Sequence, residues 1–347
     1  MKLAVLILIL FSAFLPSLFS PVASGFSTLG SPARSNQNTT GQEVYVANFN
    51  EFQRVGSLSV INDSTNKIIH TIKVGSEPSG GAYDPVNKEL YVVDYDSSYV
   101  TVVNSTDNKV IKTITMGDPQ PVSAAFDSHN GEVYVANYCT ACTSGSTVSV
   151  INTTKNNVIT NIAVGSEPTA AVFNPSNDEL YVPSVGADAV YVIKDSTNKV
   201  ITTMNDCFTE ECIDAPLAAA LNSANNELYV ANFNDNAVAV YNCKTNTFVK
   251  LVSVGSGPDG AAYSPSNEAI YIANNGANSV SVINLKNKDV ALVEVGSQPN
   301  GLGFDSDNGE MYVANYGSNT VTVINCMSNK VIKTVAVGNE PIGIVVS

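Results

Sequence analysis

The sequence predicts an all-β fold, a seven-bladed β-propeller with four antiparallel strands per blade. Three observations predict it. First, a tyrosine-centred hexapeptide recurs seven times, as Glu-Val-Tyr-Val-Ala-Asn at 43–48 and Glu-Met-Tyr-Val-Ala-Asn at 310–315. Its tyrosines (Tyr45, Tyr91, Tyr134, Tyr181, Tyr229, Tyr271 and Tyr312) lie 41 to 48 residues apart. That period suits four short strands and their turns. Second, a proline-initiated stretch recurs at Pro78, Pro121, Pro168, Pro216, Pro258, Pro299 and Pro341. Third, the two series are out of step at the ends. No proline stretch precedes Tyr45, and no tyrosine stretch follows Pro341. The C-terminal strand is therefore expected to join three strands from 43–74, completing the first sheet and leaving no open edge in the ring.

Residues 299–338 show how one unit makes a blade. Pro299–Asp305 is a strand of mostly small residues, and Asp307-Asn308-Gly309 is a hairpin turn. Glu310–Asn315 is the second strand. Thr320-Val-Thr-Val-Ile324 alternates polar and apolar residues, as a third strand. Lys330–Val337 is the outermost, ended by Gly338. Strands apolar on both sides are expected in the middle of each sheet, because blades pack on both their faces.

Three regions follow from composition. Lys2 precedes an apolar stretch to about Phe19, then small residues Val22-Ala23-Ser24. Residues 1–24 thus read as a secretory signal peptide, with retention as an uncleaved anchor the alternative. Residues 25–41 read as a flexible lead-in rich in Ser, Gly, Asn and Thr. Residues 42–347 form the propeller, with no membrane span expected after signal cleavage. The net charge of −14 argues against nucleic-acid binding, which needs clustered Lys and Arg.

The Tyr-Val-Ala-Asn motif, followed by Val-Ser-Val-Ile-Asn and Lys-Val-Ile-x-Thr-Ile-x-Val-Gly, resembles the YVTN family of β-propeller repeats over residues 43 to 347. That family includes archaeal surface-layer proteins and YncE-like periplasmic proteins, and sits near the lactonase-type propellers. The resemblance implies a seven-bladed propeller outside the cytoplasm. It carries over no catalytic residue, because the shared motif is structural.

The innermost strands, such as Ser79-Gly-Gly-Ala-Tyr83 and Asn300-Gly-Leu-Gly-Phe304, leave a channel wall nearly free of ionisable groups. The fifth residue of each (Tyr83, Phe126, Phe173, Leu221, Tyr263, Phe304, Val346) is expected to pack between blades. Asp259, with Asn300 beside it, is the one acid at the channel rim. His70 falls in an outer strand and His129 in a turn, so neither a His-rich metal centre nor a His-dependent nucleophile is expected. Turns such as Asp305-Ser-Asp-Asn-Gly read as turn chemistry rather than calcium loops. No metal, cofactor or catalytic residue is assigned.

Surplus length clusters in three loops: 50–56, 138–145 and 205–215. All three are expected on one face of the disc, which makes that face the binding hypothesis. Phe52, Arg54, Phe208, Glu210 and Glu211 would contact a protein or glycan partner. Cys139 with Cys142, and Cys207 with Cys212, are candidate loop disulfides, with a four-thiolate zinc site the sharper alternative. Cys243 and Cys326 are expected to be free thiols. Asn62, Asn104 and Asn152, in matching turns of the opposite face, and Asn38 in the lead-in, fit the N-glycosylation pattern. The sequence reading is an exported binding module at the cell surface or beyond. The alternatives are a lactonase-like hydrolase at the channel mouth and a structural envelope component.

Overall fold

A computed structural model describes residues 42–51, 55–139, 146–205 and 214–347. Among them are seven four-stranded antiparallel sheets arranged as a β-propeller. The signal and lead-in segments, Asn38, Phe52, Arg54, Cys142, Cys207, Phe208, Glu210, Glu211 and Cys212 lie outside the described residues. No helix among the described residues is long and apolar enough to cross a membrane.

Six sheets are continuous in sequence, each ordered from the proline strand outward. The first blade is composite. Pro341–Val346 pairs antiparallel with Glu43–Asn48, matching Tyr45 with Val345 and Val46 with Ile344. The ring is thus closed by three strands from one end of the chain and one from the other. Blade 7 is built from Pro299–Asp305, Glu310–Asn315, Thr320–Asn325 and Lys330–Ala336, within a residue of the sequence reading.

Burial follows from stacking. The second and third strands of every blade are buried on both faces, while the outermost strand Lys330–Ala336 buries Val335 alone. The core is a series of layers between neighbouring blades. Tyr312, Val321 and Val323 of blade 7 pack with Val44, Val46 and Ile344 of blade 1. Phe126, Leu221, Tyr263 and Phe304 are buried in such layers, as expected from their place in the inner strands; Tyr83, Phe173 and Val346 are half-buried.

Blade 4 departs from the pattern. Its inner strand forms a ladder only over Val172–Asn174, with one isolated bridge from Pro168 to Ser184. Pro183 replaces the alanine of the tyrosine strand there. It has no N–H to give the inner strand, so the ladder breaks beside it.

In blades 1, 3, 6 and 7 an asparagine pin fixes the tyrosine strand to its neighbour. Asn48 Nδ2 donates to Ser57 Oγ at 3.1 Å and Ser59 Oγ at 3.0 Å. Asn137, Asn274 and Asn315 repeat this with Thr147/Ser149, Ser279/Ser281 and Thr320/Thr322. The chain entering the next inner strand runs against this pin. A Cβ on Gly338 would stand 2.5 Å from Asn48 Cγ, so that position admits only glycine.

Candidate functional site

A proline leads into each inner strand, and the residue before it is held in the left-handed region. These residues are Glu77, Gln120, Glu167, Ala215, Gly257, Gln298 and Glu340, with φ between 51° and 63°. Their carbonyls accept the backbone N–H of the first residue past a tyrosine strand, as Phe49 to Glu340 at 2.9 Å and Tyr138 to Gln120 at 2.8 Å. Six side chains, from all of these but Gly257, are thereby fixed around one mouth of the channel. Uncommon backbone conformations held by surrounding structure concentrate at functional sites. The described residues that flank the three elaborated loops, at 49–51, 138–139 and 214–215, lie on this face.

Three of the seven are glutamates, and aromatic residues stand between them. Phe49, Tyr95, Tyr138, Phe233 and Tyr316 occupy the position after the tyrosine strand. Phe49 and Tyr95 have ring centroids 6.3 Å apart. Glu51 joins the acids, its N–H donating to Glu340 Oε2 at 2.5 Å. Burial, then the Glu340 charge, raises the Glu51 carboxyl above its ordinary range. Glu167 is half-buried. Burial raises it, and its hydrogen bond with Tyr138 pulls it partly back. Burial and then the charges of Glu77, Asp96 and Glu167 push Tyr95 up to about 12. Tyr316 is raised by burial and by Glu340, Glu51 and Glu77. Both phenols therefore stay protonated, as hydrogen-bond donors, at neutral pH.

Asp259 and Asn300 are brought together. Each follows an inner-strand proline, where the ladder register shifts. Such bulges re-aim side chains. Asn300 Nδ2 donates to Asp259 Oδ2 at 3.3 Å, and both residues are buried. The expectation of a mouth with a single acid is corrected: Glu51, Glu77, Glu167 and Glu340 surround it as well. The missed signal was the residue before each proline, read only as a strand boundary. Among the described residues, the connections of this face hold no Lys or Arg. Further out, burial and, after it, the Asp214 charge raise the carboxyls of Asp188 and Asp235.

The remaining candidates separate from this face. Asn62, Asn104 and Asn152 sit in equivalent turns of the opposite face, where their Oδ1 atoms accept turn N–H groups of Thr65, Thr106 and Lys155. A shallow depression of about 490 Å³ on that face, lined by Asn177, Asn225, Asn226 and Lys244, holds only turn residues. Cys243 and Cys326 are free and buried, and Cys139 is buried two residues past the tyrosine strand Glu132–Asn137. His70 is an exposed outer-strand residue opposite Val60.

The family model described as lactonase, 7-bladed beta-propeller, matches residues 30–329. The chain belongs to the seven-bladed lactonase family. No curated protein sequence matches it. Among solved structures, a periplasmic gluconolactonase of Pseudomonas aeruginosa is 17% identical, with a TM-score of 0.71 over 88% of this chain and 98% of that one. A putative 6-phosphogluconolactonase of Bacteroides fragilis is 13% identical, with a TM-score of 0.70 over 90% and 100%. Hydrazine synthase of Kuenenia stuttgartiensis is 19% identical, with a TM-score of 0.68 over 86% and 99%. At these identities the likeness is one of fold. The family places the lactonase reading ahead of the binding-module reading that the sequence favoured.

Proposed function

We propose that this member of the lactonase family hydrolyses an uncharged lactone at the acidic, aromatic mouth of its channel. One observation carries the reading: carboxylates interleaved with tyrosines surround that mouth, with no cation among the described residues of the face. Aromatic faces and carboxylate acceptors suit the C–H and O–H groups of a neutral sugar lactone. A phosphorylated lactone would meet repulsion there.

Glu167 is the residue assigned as general base. A carboxyl raised by burial is a stronger base than an exposed one. Tyr138 holds it in place. The activated water adds to the lactone carbonyl, and the protonated Tyr95 or Tyr316 hydroxyl donates to the developing oxyanion. The bond from acyl carbon to ring oxygen then breaks. The ring oxygen takes a proton, giving a hydroxy acid. That product is an anion, so the field that admits a neutral ring favours its departure.

Assay of a lactone panel tests this directly. Glu167→Gln is expected to lower kcat at least a hundredfold with the fold intact. Activity unchanged in both Glu167→Gln and Asp259→Asn would overturn the reading. The second reading, capture of a glycan or protein by the same face, is supported by its elaborated loops. An apolar N-terminus, the YVTN-type repeats and a periplasmic structural neighbour support export from the cytoplasm.

A further inference from the structure

The opposite face carries a second cluster, in the seam between blades 3 and 4. Asp127 ends the inner strand of blade 3, and His129 follows in the same turn. Asp195 opens the turn after the third strand of blade 4. The fold brings one ligand atom from each of these residues to within 4.8 Å of the others. Among the described residues, no other group of His, Cys, Asp and Glu converges this closely.

The side chains around the cluster leave its charge uncompensated. Asp127 and Asp195 are both buried. Asp127 Oδ1 accepts the backbone N–H of His129 at 2.8 Å and of Asn130 at 3.4 Å. Its Oδ2 is buried with no hydrogen-bond partner. Lys194 is already engaged: its Nζ donates to the Asn177 carbonyl at 2.7 Å and lies 3.5 Å from Asp178 Oδ2. Asp178 Oδ1 stands 2.7 Å from His129 Nδ1, which leaves Nε2 as the second donor of a ring held from behind.

Other seams show that this set is not a demand of the fold. The corresponding positions between blades 6 and 7 hold Ser264 and Cys326, with no acid and no imidazole. Between blades 7 and 1 they hold Asp305, Asp307 and Asp63, three acids with no imidazole.

We propose that Asp127, His129 and Asp195 form a binding site for a divalent transition-metal ion, zinc in type, that ties blade 3 to blade 4. Two carboxylate oxygens and an imidazole nitrogen are ligands that zinc accepts, and three protein ligands leave a position for water. Calcium and magnesium prefer all-oxygen sets. A carboxylate behind a metal-bound histidine fixes its ring, the part Asp178 takes here. The cation supplies the counter-charge that Asp127 Oδ2 lacks. His129 is 45% exposed, so the site is reached from solvent. The proposal stands apart from the lactonase reading, whose residues lie on the other face.

The test uses the full chain, stripped with chelator and titrated with Zn²⁺ or Ca²⁺ by calorimetry, with melting followed in parallel. One Zn²⁺ per chain is expected, with a rise in Tm that Ca²⁺ does not produce. His129→Gln is expected to weaken zinc binding more than tenfold, and Asp178→Asn about tenfold. Asp305→Asn, in the seam without histidine, leaves zinc binding unchanged. His129→Gln decides the matter if a change at buried Asp195 impairs folding, because His129 is exposed. Absence of zinc binding to the parent chain, or equal affinity in His129→Gln, overturns the proposal.

Discussion

The Tyr312 hydroxyl of the last blade donates to Asn66 Oδ1 of the first at 2.9 Å. Asn66 Nδ2 in turn donates to Glu310 Oε2 at 3.1 Å, so three side chains lock the seam where the ring closes. The same clasp recurs as Tyr45 with Asn108, Tyr91 with Asn156, Tyr134 with Asn198, Tyr181 with Asn246 and Tyr271 with Asn329. Each asparagine is left-handed, which its short polar side chain tolerates. The motif tyrosine is thus an interblade fastener as well as a core residue.

One seam lacks the clasp. Opposite Tyr229, the left-handed position is Lys288, with φ 67°. Lys288→Asn is expected to raise stability by about 1 kcal/mol, through an easier backbone and a restored hydrogen bond. Chemical denaturation of this variant with and without Tyr229→Phe separates the two parts. An unchanged midpoint in Lys288→Asn rejects the clasp as a source of stability.

Blade 5 has the asparagine pin without its acceptors. Asn232 Nδ2 and Oδ1 are buried with no hydrogen-bond partner, because Ala237 and Ala239 stand where other blades carry Ser or Thr. Ala239→Ser is expected to stabilise the fold by about 0.5–1.5 kcal/mol. Loss of stability on this change, read from the thermal midpoint, contradicts the assignment.

Blade 2 places Asp94 at the pin. Burial pushes its carboxyl from 3.8 up to about 7, against hydrogen bonds from Thr101 and Gly75 that lower it. A folded-state pKa above the unfolded one favours folding while the group is protonated. That contribution is full below about pH 4 and is lost as pH rises through 7. Asp94→Asn is expected to gain on the order of 2 kcal/mol over the parent at pH 8 and little at pH 4. Equal midpoints at pH 8 refute it.

The carboxylate-lined mouth, with no cation among its described residues, predicts charge selectivity. An uncharged sugar lactone should show a kcat/KM at least tenfold above that of its phosphorylated analogue at low ionic strength. The gap should narrow at about 0.5 M salt, where screening lengths fall to a few ångström. Preference for the phosphorylated substrate excludes the proposed chemistry.

The buried thiols make a simpler prediction. Burial pushes Cys243 up to about 12 and also raises Cys326. Neither should react with a thiol reagent at pH 8 until the chain is unfolded. Mapped labelling of the native protein at either residue would show the seams to be open.

Blade number, strand order and ring closure were legible in the chain because period and alternation are local, repeated seven times, and must match the sheet that buries them. The offset between the Tyr45 and Pro341 series already implied the composite blade. The break beside Pro183 was not anticipated, and only the strand pairing revealed it. Sites were less legible, because they join blades. Glu51, Glu77, Glu167 and Glu340 are spread over nearly three hundred residues, and only curvature of the ring sets them around one opening. Asp127 and Asp195 come from different blades, so their contact depends on how one sheet leans on the next. Local pattern decides which backbone pairs with which; side-chain convergence depends on the angle at which finished sheets pack, and that is a property of the closed ring alone.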